Sequence, residues 1–276
     1  VKKSTENNLF IPYIRFIGSQ KAKMGRLGQE RGKLADTDPR YAELTEEIKT
    51  VNSGVLKYQE DLINQNKGTL VAKIVKMSME VEIPEAPLDE NGVVIDSNFR
   101  FLFYREHYWD NVDLNDDALV NNPIFHNKLE YFFGQKMMIQ HWDTVTKYAF
   151  RFCDQLNPKS KMFEYSVGWI TSSFGKSKIM GMDKVYLEML NRYYCTDNLE
   201  GNSPAFWVGE DKFEELCDNL KNKLRLTMGS VPFNLKLRDT TDVNWVDFYS
   251  LDSEYTILYF WDPECGHCKK TTPKLE

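Results

Sequence analysis

The sequence predicts a mainly α-helical protein that passes into a shorter α/β segment near its C-terminus, and three observations predict it. Through roughly the first 225 residues, apolar side chains recur at three- and four-residue steps, the period of one helix face. After Gly229 the period changes to two in Val231–Arg238, and Tyr255–Trp261 is a continuous apolar run of the kind a sheet core buries. A Cys-X-X-Cys, Cys265-Gly266-His267-Cys268, follows that run almost at once. The boundary is therefore placed between Thr227 and Ser230, with an all-helical domain over residues 1–228 and the beginning of an α/β domain over 229–276.

Phe10, Ile14, Ile17, Met24, Leu27 and Leu34 form one helical stripe. A polar break at Ala35–Asp38 follows. Asp38 and Pro39 start a second helix, because an Asp oxygen can accept an orphan backbone N–H and proline has none to lose. Its positions Tyr41, Leu44, Ile48, Val51, Val55, Tyr58 and Leu62 alternate steps of three and four, a heptad seam. So short a break folds the two helices back as an antiparallel hairpin. The seam is expected to pack within that hairpin, and pairing with a second copy, a homodimer, is the alternative.

Thr69–Met77 reads as a short helix, and Ile83–Pro87 with Asn91-Gly92 as a surface linker. Phe99–Trp109 is strongly aromatic and is followed by the acidic stretch Asp110–Asp117. Further helices are expected over 122–135, 137–156, 159–175, 182–195 and 210–226, with Asn122-Pro123 and Asn157-Pro158 as starts. Past the boundary, Val231–Arg238 reads as a strand, Asp239–Asp242 as a turn and Tyr255–Trp261 as a buried strand.

Composition limits the function. With 42% hydrophobic and 28% charged residues in 276, the chain has the balance of a folded protein. Its net charge of −6 leaves no basic surplus for a phosphate backbone, so nucleic acid is not an expected partner. No apolar run approaches the roughly 20 residues of a membrane-spanning helix. The chain begins Val1-Lys2-Lys3 rather than with Met, and it stops soon after a helix begins near Cys265. It is read as an internal piece of a longer protein.

The chemistry lies in the cysteine pair. A strand, then Trp261-Asp262-Pro263-Glu264, then the pair, places Cys265 at a helix N-terminus, where orphan amides and the helix dipole favour a thiolate. Cys265 is then the attacking thiolate. Cys268, one turn on, can attack the mixed disulfide and release the product. Gly266-His267 sets an imidazole beside Cys265, which when protonated favours the thiolate and argues for a less reducing pair. A zinc site would need a second pair of ligands at matching spacing, which the sequence lacks. Cys153, Cys195 and Cys217 stand singly among apolar neighbours in helical stretches and are expected to be inert buried thiols. His107 with Asp110, among Phe101, Phe103, Tyr104, Tyr108 and Trp109, is expected to be a hydrogen-bonded structural histidine of the core. His126 and His141 are isolated. The acidic stretch lacks the Gly and terminal Glu of a calcium loop. No cofactor or metal is called for.

The segment Phe260–Leu275, with Trp261, Pro263, Cys265, Gly266, His267, Cys268 and Pro273, resembles the active-site region of the thioredoxin superfamily, closest to its thiol-disulfide reductases of the TlpA/ResA type. Gly229–Leu235 with Asp239 is similar to the entry into such domains. The resemblance implies a nucleophile at Cys265, a resolving thiol at Cys268, a helix-kinking proline at Pro273, protein or peptide thiols and disulfides as substrates, and a separate redox partner. Arg105–Asp113, Asn122–Phe125 and Tyr193-Tyr194 are similar to a helical domain of unknown function that precedes thioredoxin-like domains in envelope proteins of Bacteroidetes, which implies the periplasm or cell envelope. Only the first part of a thioredoxin-like domain is present, so the full-length protein is expected to be the oxidoreductase and this chain alone to be inactive. The alternative is a helical binding or scaffold module to which the redox domain is accessory.

Overall fold

The structure, a computed structural model, describes residues 4–195, 204–218, 220–239 and 241–275. Val1-Lys2-Lys3, Asn219 within the expected helix 210–226, Thr240 of the expected turn and Glu276 lie outside them. The chain divides into two units, Val1–Met228 and Gly229–Glu276. Mainly α architecture is observed, with one two-stranded sheet among the described residues.

The first unit opens with α1 (Thr5–Arg31) and α2 (Pro39–Gln65), which pack as a hairpin. The start of α1 lies five residues before the first apolar position of its stripe. Ser4 is the reason: its Oγ accepts the Asn7 amide at 3.3 Å. The expected start of α2 is observed, with Asp38 Oδ1 accepting the Arg40 amide at 2.8 Å and Pro39 in the first turn. Leu27, Leu44 and Val51 form one apolar cluster of the hairpin, and Tyr13 and Leu62 join Val71 and Val75 in another. The heptad seam thus packs inside the hairpin.

Helix α3 (Leu70–Ser78) is capped by Thr69, whose Oγ1 accepts the Ala72 amide at 3.2 Å. The Glu6 carboxylate also accepts its first two amides, Leu70 at 3.1 Å and Val71 at 2.9 Å. The expected linker follows, exposed through Asp89–Asn98 and turned at Gly92, whose φ of 78° suits a residue without Cβ.

The aromatic stretch forms α4 (Phe99–His107). Phe101, Phe103 and Tyr104, expected in the core, are not buried: α4 buries no residue, and burial begins only at Tyr108 in the following turn. Helices α5 (Pro123–Phe133), α6 (Trp142–Cys153), α7 (Lys161–Gly175) and α8 (Asp183–Met189) then enclose the main core, where Phe125, Leu129, Val145, Ala149, Val167 and Val185 have no exposed surface. Gly175 allows α7 to meet α8, since a Cβ there would stand 2.9 Å from the Tyr186 ring. The expected helix over 137–156 is shorter at both ends: residues 137–141 form a turn in which Gln140 donates to the Phe133 and Met138 carbonyls. The expected helix over 182–195 widens into a π turn at Leu190–Tyr194, and 210–226 splits into α9 (Glu210–Cys217) and α10 (Leu220–Leu224). No helix among the described residues is long and apolar enough to cross a membrane.

In the second unit β1 (Lys236–Arg238) pairs antiparallel with β2 (Trp245–Asp247), Leu237 opposite Val246. Asp239 organises the connection: its Oδ1 accepts from the Thr241 amide and hydroxyl, and its Oδ2 from Asn244 Nδ2 at 3.0 Å. Those side-chain hydrogen bonds hold its pKa down at about 2. The strand expected over Tyr255–Trp261 is not formed. These residues pair with no strand, and Tyr255, Ile257 and Phe260 are 82%, 85% and 81% exposed. A core strand needs neighbours on both edges to bond its backbone, and the described part of this unit offers only the β1/β2 hairpin. Helix α11 (Gly266–Thr271) follows, and Pro273 sits in the 3₁₀ turn Thr272–Lys274 that ends it.

Lys73 on α3 reaches the acidic stretch, with Nζ 2.6 Å from Asp116 Oδ2 and 3.0 Å from Asp113 Oδ2. The hydrogen bond from Lys73 pulls the Asp116 carboxyl below its ordinary range, and the bond to Asp116 raises the Lys73 ammonium. The Asp116 contribution to stability is present above the unfolded carboxyl pKa, about 4, and is lost as pH falls through the lower folded value. The Lys73 contribution is present below the unfolded ammonium pKa, about 10.4, and is lost as pH rises through the higher folded value. Urea titrations of Lys73→Met across pH should therefore show its largest loss of stability between about pH 4 and pH 10, with the gap from wild type closing below about pH 4.

Candidate functional site

Cys265 and Cys268 lie at the start of α11, joined as a disulfide with their Cα atoms 5.2 Å apart. The local sequence builds this turn. Asp262 Oδ1 accepts the Glu264 amide at 2.7 Å, and the Asp262 carbonyl accepts the Cys265 amide at 3.1 Å, so Trp261–Glu264 turns the chain into the helix. Cys265 is extended, with φ −71° and ψ 110°, and occupies the N-cap position. Its sulfur accepts the Cys268 amide at 3.2 Å, and its carbonyl accepts the Lys269 amide at 3.1 Å. Both cysteines are half-buried, whereas Trp261, Pro263, Gly266, His267 and Pro273 are exposed. No side chain among the described residues hydrogen-bonds the His267 ring. Lys269 and Lys270 follow in the same helix.

Tyr259 is a contributor that sequence reasoning missed. Its hydroxyl donates to the Cys268 carbonyl at 3.4 Å and lies 3.2 Å from Thr272 Oγ1, tying the apolar run to the helix that carries the pair. A tyrosine within a run of apolar residues reads as strand filling, and its hydrogen bond emerges only once α11 folds back beside it.

The other cysteines depart from expectation. Cys195, at the end of the π turn, and Cys217, at the end of α9, form a second disulfide, Cα to Cα 5.5 Å, across a separation of 22 residues. They are not inert thiols. Each stands alone in its own element, and nothing local to either announces the partner. Cys153 is a fully buried thiol, and burial pushes its pKa well above the ordinary range.

The His107 cluster is likewise displaced from the core. His107 Nδ1 lies 2.7 Å from Asp110 Oδ2, and its ring stacks on Phe103 at 4.1 Å, but its side chain is 43% exposed. The histidine is hydrogen-bonded as expected, at the surface. No group of three His, Cys, Asp or Glu side chains among the described residues is gathered to hold a metal ion.

Residues 53–203 match the model of a family described as a domain of unknown function, DUF5106. That is more than half of the chain, and the protein belongs to this family. The match lies within the first unit and stops before Gly229. No curated protein and no solved structure matches the chain.

Two disulfides among five cysteines leave one thiol. An aromatic disulfide reagent should therefore find no reactive thiol in the native oxidised protein and one per chain in denaturant. Replacing Cys195 and Cys217 together by Ser releases a loop closed over 22 residues and should lower stability in urea by about 3 kcal/mol.

Proposed function

We propose that the protein is a thiol-disulfide oxidoreductase of thioredoxin-like, TlpA/ResA-like character that works through Cys265 and Cys268. The observation that carries this reading is the pair itself: two cysteines one helical turn apart, half-buried at the surface, with the Cys268 amide bonded to the Cys265 sulfur. A backbone N–H directed at sulfur stabilises a thiolate more than a thiol, and the thiolate is the species that exchanges.

In the reduced state the Cys265 thiolate attacks one sulfur of a protein or peptide disulfide. The substrate S–S bond breaks, a Cys265–substrate disulfide forms, and the other substrate sulfur leaves as a thiolate that takes up a proton. Cys268, deprotonated, then attacks the Cys265 sulfur, which closes the intramolecular disulfide and releases the second substrate thiol. The protein is oxidised by two electrons and the substrate reduced by two; a dithiol redox partner returns the pair to the reduced state. The reverse sequence would introduce disulfides.

The exposed run Tyr255–Trp261 supports placing this chemistry in a larger thioredoxin-like sheet. Three of its side chains are more than 80% exposed, a surface that a core strand covers, and in this reading exchange belongs to the completed domain. The Cys195–Cys217 disulfide supports an oxidising compartment such as the periplasm or cell envelope. The helical unit then serves substrate or partner recognition.

The test uses the full-length protein and a peptide disulfide. Cys268→Ser should accumulate a mixed disulfide through Cys265, visible as a mass increase that a reductant removes, while Cys265→Ser should form none. Both variants should lose insulin-reducing activity by about two orders of magnitude or more. Wild-type rates in both would discard the redox assignment and leave the helical unit as a binding module.

A further inference from the structure

Residues 105–107, 109 and 110 take no part in thiol exchange, yet with Tyr148, Arg151 and Phe152 of α6 they line a cavity of about 380 Å³ in the helical unit. That volume lies within the range of small-ligand sites. The acidic groups in it are committed. Glu106 Oε1 accepts the Tyr148 hydroxyl at 3.1 Å and its Oε2 accepts from Arg151, while Asp110 faces His107 at 2.7 Å. Burial pushes the Glu106 carboxyl up, but these bonds outweigh it and keep the group below its ordinary range, so it remains ionised. Arg151 is thereby neutralised.

Arg105 is different. It makes no hydrogen bond or ion pair among the described residues. Its guanidinium rests on aromatic faces, 4.8 Å from the Tyr148 ring centre and 5.3 Å from that of Phe101, and its Nε is enclosed without a partner. Trp109, which stacks on Phe152 at 4.3 Å, also encloses an unpartnered N–H. Buried donors are ordinarily bonded, and these two belong to residues that line one cavity. Arg105 is the guanidinium of the cavity that donates to no carboxylate, and a single such group matches a monoanion; a phosphate dianion would call for a second, and Arg151 already donates to Glu106. The planar guanidinium suits a carboxylate. Trp109, Phe132 and Phe152 supply an apolar surface beside it.

We propose that this cavity binds a carboxylate carried on an apolar body, paired with Arg105 and packed against Trp109. The ligand is either a small free acid or the C-terminal carboxylate of a peptide. The proposal stands apart from the thiol-exchange reading and involves none of its residues.

The test titrates the full chain with N-acetylphenylalanine and with a short peptide ending in free phenylalanine, each beside its amide. Calorimetry reads the affinity, and the indole N–H resonance of Trp109, assigned with Trp109→Phe, reads the site. Each acid should bind at least about tenfold more tightly than its amide and shift that resonance, and Arg105→Gln should weaken binding about tenfold, with Arg105→Lys recovering part of it. A peptide that binds much more tightly than the small acid identifies a chain terminus as the ligand, and equal affinity identifies a free acid; either supports the site. Equal binding of acid and amide, no binding up to about 10 mM, an unmoved Trp109 resonance, or tighter binding of phenyl phosphate would overturn it. Should Arg105→Gln unfold, the acid and amide comparison on the wild-type protein decides alone.

Discussion

The helical unit depends on nine residues. Helix α3 is apolar over most of its circumference, with Lys73 and Lys76 on the remaining face, and is buried accordingly: Val71 and Val75 belong to the cluster of the α1/α2 hairpin, while Ile74 and Met77 belong to the main core. Without that helix the hairpin would have its own seam and little else, and the core formed by α5 to α8 would lose one wall. Its polar fastenings agree with this position. Glu6 from α1 accepts its first amides, Lys73 holds Asp113 and Asp116, and Ser78 at its end meets the Tyr13 hydroxyl at 3.1 Å, to which buried Gln59 of α2 also donates at 3.0 Å. The Tyr13, Gln59 and Ser78 contacts link three helices through buried polar atoms that satisfy one another, and such networks specify one arrangement rather than merely adding stability.

The two units differ in kind. The first has a closed core and a disulfide that fastens the end of the π turn to α9. The second has a short hairpin, an extended apolar run and a helix of six residues, with no buried side chain among its described residues. The cysteine pair is nevertheless held by local contacts: the Asp262 turn and the N-cap sulfur act within three residues, and the Tyr259 hydroxyl within nine. Local hydrogen bonds can set up a Cys-X-X-Cys turn without a surrounding sheet; they cannot supply the walls that select a substrate. In the helical unit the reverse holds: a cavity exists, and the group in it that donates to no acid is a guanidinium rather than a nucleophile.

Much of the fold was legible because helix signals are local. Asp38-Pro39, Thr69 and Asn122-Pro123 start helices where expected, since a cap needs only its own side chain and the next two or three amides. Failures cluster where the outcome depends on distant chain. Phe101 and Phe103 looked like core by composition, yet α4 buries none of its residues and leaves the wall of the core to Tyr108 and Trp109. Tyr255–Trp261 has strand composition, but composition does not provide the neighbours that pairing requires. The candidate thiol site was legible from spacing alone. The cavity was not: Arg105 and Tyr148 are 43 positions apart in the sequence, and which acid each arginine would meet was beyond any pattern.

What the sequence by itself determined is what short range governs: the helical period, the caps, the hairpin seam and the identity of Cys265 and Cys268 as a pair one turn apart. The tertiary structure alone decided that Cys195 meets Cys217, that Cys153 stays a buried thiol, that His107 sits at the surface, and that Arg151 donates to Glu106 while Arg105 donates to no acid. The reason is physical. Capping and periodicity are set by backbone geometry over three or four residues, whereas disulfide pairing, burial and charge commitment are set by distances in space between groups that the chain brings together only when it folds.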